Sequence, residues 1–151
     1  EDALEWTEIA DLATCLEVIE HVFDPLFFVK AIANLLKPKG YCLVTSLCGD
    51  GFDLQVLGEK SKSLFPPHHL NFLSLKGYEL LFKRAGFRKV KITTPGQLDV
   101  DIVRNEIEKG EDVSFFIKTL VERGNEACEN LQKFLVENKL SSHIWVLAQK
   151  E

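Results

Sequence analysis

Apolar positions along the chain fall into short dense runs and longer periodic ones. Leu12–Leu16 is short and nearly all apolar, which predicts a strand buried on both faces. Asp24-Pro25 then predicts a helix start, with Asp as the N-cap and Pro at the first helical position. Phe28, Val29, Ile32, Leu35 and Leu36 hold a helical period, and Lys37-Pro38-Lys39-Gly40 predicts the stop. Tyr41–Ser46 reads as a second buried strand. Strand, helix and strand form one βαβ unit, which implies parallel pairing and a right-handed crossover.

Cys48–Pro67 is long, glycine-bearing and irregular in pattern, as expected of an active-site loop. Ser74 predicts a helix cap, Leu73 and Tyr78 form a hydrophobic staple, and Gly86 ends that helix after Ala85. Arg88–Thr94 alternates basic and apolar residues, the mark of a half-exposed strand. Val100–Asn138 reads as a helical block punctuated by Gly110 and Gly124, with Ala127, Leu131, Phe134 and Leu135 at helical spacing. Phe115, Phe116, Leu120 and Val121 are expected in a core. His143–Gln149 predicts a final strand, able to pair antiparallel with Arg88–Thr94. Residues 1–9 are polar and acidic, a connector or a fraying helix end.

Composition narrows the class without naming it. The chain has 151 residues, 46 % of them apolar, enough for one domain with a core. No apolar run approaches the roughly 20 residues of a membrane span. The first ten residues carry four acids and no base, unlike a signal peptide. A net charge of −5 counts against a nucleic-acid face, which needs clustered Lys and Arg. Cys15, Cys42, Cys48 and Cys128 form no C-x-x-C pair, so free thiols in a reduced, cytoplasmic protein are expected. The chain has no methionine, which suggests a start after its natural beginning.

The candidate chemistry gathers after the first strand. Glu20-His21 sets an acid beside an imidazole, and histidine titrates near neutral pH, so His21 is a candidate proton acceptor. Glu17, Glu20 and His21 also read as Glu-x-x-Glu-His. With His68 or His69 they would offer oxygen and nitrogen ligands to Mg²⁺ or another divalent ion, though whether a metal is used stays open. His68-His69 follow two prolines that restrict the backbone, which makes His69 a second proton-acceptor candidate. His143 and the acidic segment Glu106–Asp112 read as surface.

Asp11-Leu12, Glu17-Val18-Ile19-Glu20-His21, Asp24-Pro25, Leu36-Lys37-Pro38-Lys39-Gly40, His69-Leu70-Asn71-Phe72 and Ala85-Gly86-Phe87 follow one another along the chain as an ordered set. That set resembles the C-terminal half of a class I S-adenosylmethionine-dependent methyltransferase, nearest the type 11, 12 and 23 domains that include ubiquinone-type O-methyltransferases. The resemblance implies an α/β, Rossmann-like partial sheet, strands four to seven of seven. The last strand would be antiparallel between the fifth and sixth, with a helical insertion near 100–140 in a single domain over 1–151. It implies S-adenosylmethionine as cofactor, with Leu16, Glu17 and Val18 beside its methionine end, and a small-molecule methyl acceptor, with oxygen preferred. His21 and His69 become the catalytic candidates. The family's glycine-rich turn and ribose-binding acid have no counterpart here, so the chain alone is expected to be an inactive fragment. An unpaired sheet edge or the helical insertion would then suit a homodimer. Two alternatives stay open: a metal-assisted RNA 2′-O-methyltransferase, and a non-catalytic binding or assembly domain of the same fold.

Overall fold

The computed structural model describes residues 7–151. The connector expected at residues 1–9 therefore falls mostly outside the described residues. Four strands form one sheet: β1 (Ala10–Leu16), β2 (Leu36–Leu47), β3 (Phe87–Thr93) and β4 (His143–Lys150). Their order is β1-β2-β4-β3. β1 and β2 are parallel, while β4 runs antiparallel to both β2 and β3. The last strand thus lies between the second and third, as the resemblance implied.

Local signals placed the helices on one side of this sheet. Asp24 caps α1 (Pro25–Leu35), its carboxylate accepting from the Phe27 N–H at 2.9 Å. Ser74 caps α3 (Leu75–Arg84) by accepting from Gly77 N–H at 3.0 Å. Gly86 takes a φ of +96° where α3 turns into β3, a conformation that favours glycine. α1 buries Val29, Ile32 and Ala33, and α3 buries Tyr78 and Phe82. They meet Cys15, Cys42, Val44, Ile144, Val146 and Ala148 in the main core. Fully burying a side chain such as Phe82 is worth roughly 2–3 kcal/mol over leaving it in water.

The opposite face of the sheet corrects the expectation of strands buried on both sides. Side chains alternate along a strand, so register sends Leu12, Leu16, Tyr41, Leu43, Trp145 and Leu147 to that face. Leu12, Leu16, Tyr41, Trp145 and Leu147 are 41–58 % exposed. None of the described elements covers this face. Apolar runs promised two buried faces, but covering the second takes partners outside the described elements.

Other expectations shift in detail. Lys37-Pro38-Lys39-Gly40 ends α1 but lies inside β2, where the β1 register slips between Ala10 and Leu12 and Lys39 adopts φ +64°. The loop expected at Cys48–Pro67 contains a helix, α2 (Phe52–Leu57), and a 3-10 turn over Gly58–Lys60. The helical block resolves into α4 (Asp99–Glu108), α5 (Phe115–Glu122) and α6 (Asn125–Glu137). Phe115 and Phe116 are 84 % and 69 % exposed, not core; Ile117 is the buried residue of α5.

The helical block has its own small cores. Leu57, Val103 and Ile117 form one, and Val100, Cys128 and Leu135 form another. Two buried carboxylates tie it to the head of β4. Asp99 accepts from Ser142 N–H at 2.6 Å and Ser141 Oγ at 2.7 Å. Asp53 of α2 accepts from Ser142 Oγ and, at 3.1 Å, from Ser61 Oγ. Gly51 and Gly96 are needed beside this knot, because a Cβ on either would strike Ser142 or Ser141.

Candidate functional site

Pairing brings one end of every strand to a single edge of the sheet. β1 and β2 end there at Leu16 and Leu47, β3 ends at Thr93, and β4 begins at His143. Ligands of open α/β sheets bind outside the carboxyl ends of parallel strands, so this edge is the candidate site. Near its end β2 carries two adjacent hydroxyls, Thr45 and Ser46. Adjacent strand residues face opposite ways, and each hydroxyl holds one glutamate of the Glu-x-x-Glu pair. Thr45 Oγ1 donates to Glu17 Oε1 at 2.5 Å, and Ser46 Oγ donates to Glu20 Oε2 at 2.7 Å. Glu17 and Glu20 are thus held by neighbouring hydroxyls, and the two carboxyls also lie close enough to act on one another.

On the covered side Glu20, only 1 % exposed, joins His21 and His69. One ligand atom from each lies within 4.8 Å of the others. The loop carrying His69 is tied down by its backbone. Leu70 and Asn71 N–H groups donate to Glu20 O at 2.7 and 3.1 Å. Asn71 Nδ2 donates to Ile19 O at 3.2 Å and Val22 O at 2.6 Å. His21 Nδ1 donates to His68 O at 2.6 Å, and His69 Nδ1 donates to Ser63 O at 2.7 Å. Carbonyls only accept, so both rings carry hydrogen on Nδ1 and leave Nε2 as the free acceptor when neutral. The two ring centres are 4.8 Å apart. Two imidazoles oriented by carbonyls beside a carboxylate can take protons or ligate a divalent ion.

The expected metal-ligand set changes accordingly. Glu17 lies outside the Glu20–His21–His69 set, its carboxylate held by Thr45 and His143. His68 contributes its carbonyl, while its ring stacks on Phe65 with centres 5.1 Å apart. His69 is the histidine that the loop presents. His143, expected as plain surface, donates from Nε2 to Glu17 Oε1 at 2.8 Å. Partial burial pushes the Glu17 carboxyl up, but the bonds from Thr45 and His143 outweigh it and hold the group below its ordinary value.

Leu16, Glu17 and Val18 form the tip of β1. Leu16 and Val18 are exposed, and Glu17 has φ +53°, rare for a residue with a Cβ. The tip offers apolar side chains and turned backbone at the sheet edge. That fits one side of a ligand with an apolar chain, and no described element supplies the other side. A cavity of about 580 Å³ lies between α4 and α6, lined in part by Val100, Arg104, Cys128 and Gln132. It shares no lining residue with the strand-tip cluster, so the candidate site is an open shelf.

All four cysteines are buried and free. Burial pushes the Cys15 thiol up to about 11 and Cys42 to about 12. Reasoning from sequence missed Thr45, Ser46, Asn71 and His143. The Thr-Ser pair at the end of an apolar run was the available signal for two of them.

The strand order, with the last strand antiparallel between the second and third, is that of a Rossmann-like α/β domain. The model of a family described as a methyltransferase domain matches residues 1–92, and the chain belongs to that family. A 37-residue stretch is 46 % identical to a ubiquinone biosynthesis O-methyltransferase of Marinobacter nauticus. It covers 24 % of this chain and 16 % of that protein. A Vibrio vulnificus protein of the same name is 40 % identical over 45 residues, covering 30 % of this chain and 19 % of its own length.

Among solved structures, a Thermotoga maritima SAM-dependent methyltransferase, described as a possible histamine N-methyltransferase, superposes with a TM-score of 0.60. Identity is 18 %, covering 97 % of this chain and 58 % of that one. Phosphoethanolamine N-methyltransferase 2 of Haemonchus contortus, solved with phosphomonomethylethanolamine and S-adenosylhomocysteine, gives 0.56 at 21 % identity. There the match covers 99 % of this chain and 36 % of the other. The chain thus spans a little over half of one structural relative and about a third of the other. No described helix is long and apolar enough to cross a membrane.

Proposed function

We propose that these 151 residues form the C-terminal portion of an S-adenosylmethionine-dependent methyltransferase that methylates a small molecule at oxygen. The observation that carries this reading is the Glu20–His21–His69 cluster, set at the sheet edge beside the exposed tip Leu16–Val18. Family membership supports the cofactor, and the name shared by the two curated relatives supports oxygen. When bound, the cofactor supplies an already activated methyl group, which leaves the protein alignment and proton removal. Leu16 and Val18 offer apolar contact to its methionine end, from one side only. His21 and His69 present Nε2 atoms to the acceptor's hydroxyl, and Glu20 stabilises whichever imidazole takes the proton.

A second reading keeps these residues and gives them a divalent cation that holds the acceptor's oxygen. Both imidazoles have Nδ1 fixed by a carbonyl, as metal-bound histidines do. The −5 charge weighs against RNA as the acceptor.

The test is methyl transfer from labelled S-adenosylmethionine to a panel of phenols, alcohols and amines, using the intact domain. Methyl on oxygen is expected, and His21→Gln and His69→Gln should each slow transfer about 100-fold or more. Methyl found only on nitrogen, or full activity in both variants, refutes the assignment. Dependence on added Mg²⁺ or Mn²⁺ that vanishes in Glu20→Gln selects the second reading. Calorimetry bears on the chain alone, because micromolar binding of S-adenosylmethionine to it would refute the one-wall reading.

A further inference from the structure

The Glu17–His143 pair lies outside the cluster just described and joins residues 126 positions apart. It stands at the head of the uncovered sheet face, where the tips of three strands meet. Glu17 there adopts φ +53°, a conformation disfavoured for a residue with a Cβ, so something must hold it. Three bonds do. Glu17 N–H donates to Thr45 O at 3.0 Å. Thr45 Oγ1 donates to the Glu17 carboxylate at 2.5 Å, and His143 Nε2 donates to the same oxygen at 2.8 Å. A carboxylate only accepts, so His143 carries its hydrogen on Nε2. The anchor is itself fixed: β4 begins at His143, directly after Ser141 and Ser142, which Asp99 and Asp53 grip. Gly96, from the loop after β3, backs onto the same residue, since a Cβ there would lie 3.3 Å from the His143 Cβ.

We propose that His143 is a positioning residue for the cofactor: by donating to Glu17 it locks the left-handed turn that sets Leu16 and Val18 at the sheet edge. The inference rests on the methyl-transfer reading but uses none of the residues assigned to proton removal. His143 touches neither Glu20, His21 nor His69 among the hydrogen bonds of the structure. Without the imidazole, Glu17 loses one of the three bonds that hold its turn, which relaxes toward the extended conformation. The two apolar side chains that flank it then leave their places. A glutamine at 143 retains a side-chain N–H donor and is expected to preserve the lock.

The experiment compares the wild-type chain, His143→Ala and His143→Gln by nuclear magnetic resonance. The first readout is hydrogen exchange at the Glu17 amide, at least tenfold faster expected in His143→Ala and within about threefold of wild type in His143→Gln. The second is a titration with S-adenosylmethionine into the millimolar range, following the amides of Leu16, Glu17 and Val18. Half-saturation should move at least fivefold higher in His143→Ala and return in His143→Gln. Shifts that respond equally in all three chains, with unchanged Glu17 exchange, overturn the inference and leave the methyl-transfer reading standing. No response of these amides in the wild-type chain overturns the inference together with the cofactor wall. Faster exchange throughout the sheet in His143→Ala, unrepaired by glutamine, shows a merely structural role and also overturns it.

Discussion

Replacing Asp99 with alanine should destabilise the domain far more than replacing Asp101, two positions further along the same helix. Asp99 is buried and accepts from Ser142 N–H at 2.6 Å, Ser141 Oγ at 2.7 Å and Gln132 Nε2 at 2.7 Å. Gln132 keeps its second bond, to Gly96 O. Ser142 N–H and Ser141 Oγ have no other acceptor among the described hydrogen bonds, and both residues are buried. Leaving a buried donor unpaired costs about 1–3 kcal/mol, so Asp99→Ala should lose roughly 3–4 kcal/mol. That is a large share of the 5–15 kcal/mol typical of a domain. Asp101 is half exposed and pairs with Arg104 at 2.6 Å, a contact worth under about 1 kcal/mol. Urea unfolding followed by circular dichroism and Trp fluorescence measures both. A loss below about 1 kcal/mol for Asp99→Ala, or equal losses for the two variants, refutes the argument that this carboxylate docks the helices on β4.

Three further outcomes are expected. Val146→Ala should cost about 1–2 kcal/mol in urea unfolding, as loss of buried methyl groups does. The double change Trp145→Thr with Leu147→Thr, on the uncovered face of the same strand, should cost less and reduce self-association in analytical ultracentrifugation; the opposite ranking would place the core on the wrong side. The Glu17 carboxyl is depressed in the folded chain, so its contribution is present above the ordinary glutamate value and is lost as pH falls through the folded one. Glu17→Gln should therefore flatten the loss of stability below about pH 4.5, and an unchanged acid limb in thermal melts contradicts the pairing. Iodoacetamide at pH 8 should label Cys15 and Cys48 about 100-fold faster in urea than in the folded chain. Burial raises both thiols to about 11 and withholds the thiolate. Comparable native and unfolded rates by mass spectrometry would count against that burial.

What the sequence determined by itself was local or periodic. Asp24-Pro25 and Ser74 fix helix starts because a cap and its partner N–H lie three residues apart. Arg88–Thr94 and His143–Gln149 were legible as strands, because side-chain direction repeats every two residues. The ordered motifs carried the family, and with it the place of the last strand. His21 and His69 were legible as candidates, being histidines beside an acid and beside prolines.

Only the tertiary structure decided which groups meet. Glu17 and Glu20 look like one ligand set in sequence, yet Thr45 and His143 hold Glu17 while Ser46 holds Glu20 beside His21 and His69. His143 looked like surface until antiparallel pairing brought the head of β4 beside the tip of β1. Leu12 and Tyr41 read as core, and register placed them, with Leu147, on a face that no described element covers. The physical reason is common to all three cases. Hydrophobic periodicity tells which side chains share a face, while partner, distance and cover come from pairing between strands that lie from 26 to 126 residues apart.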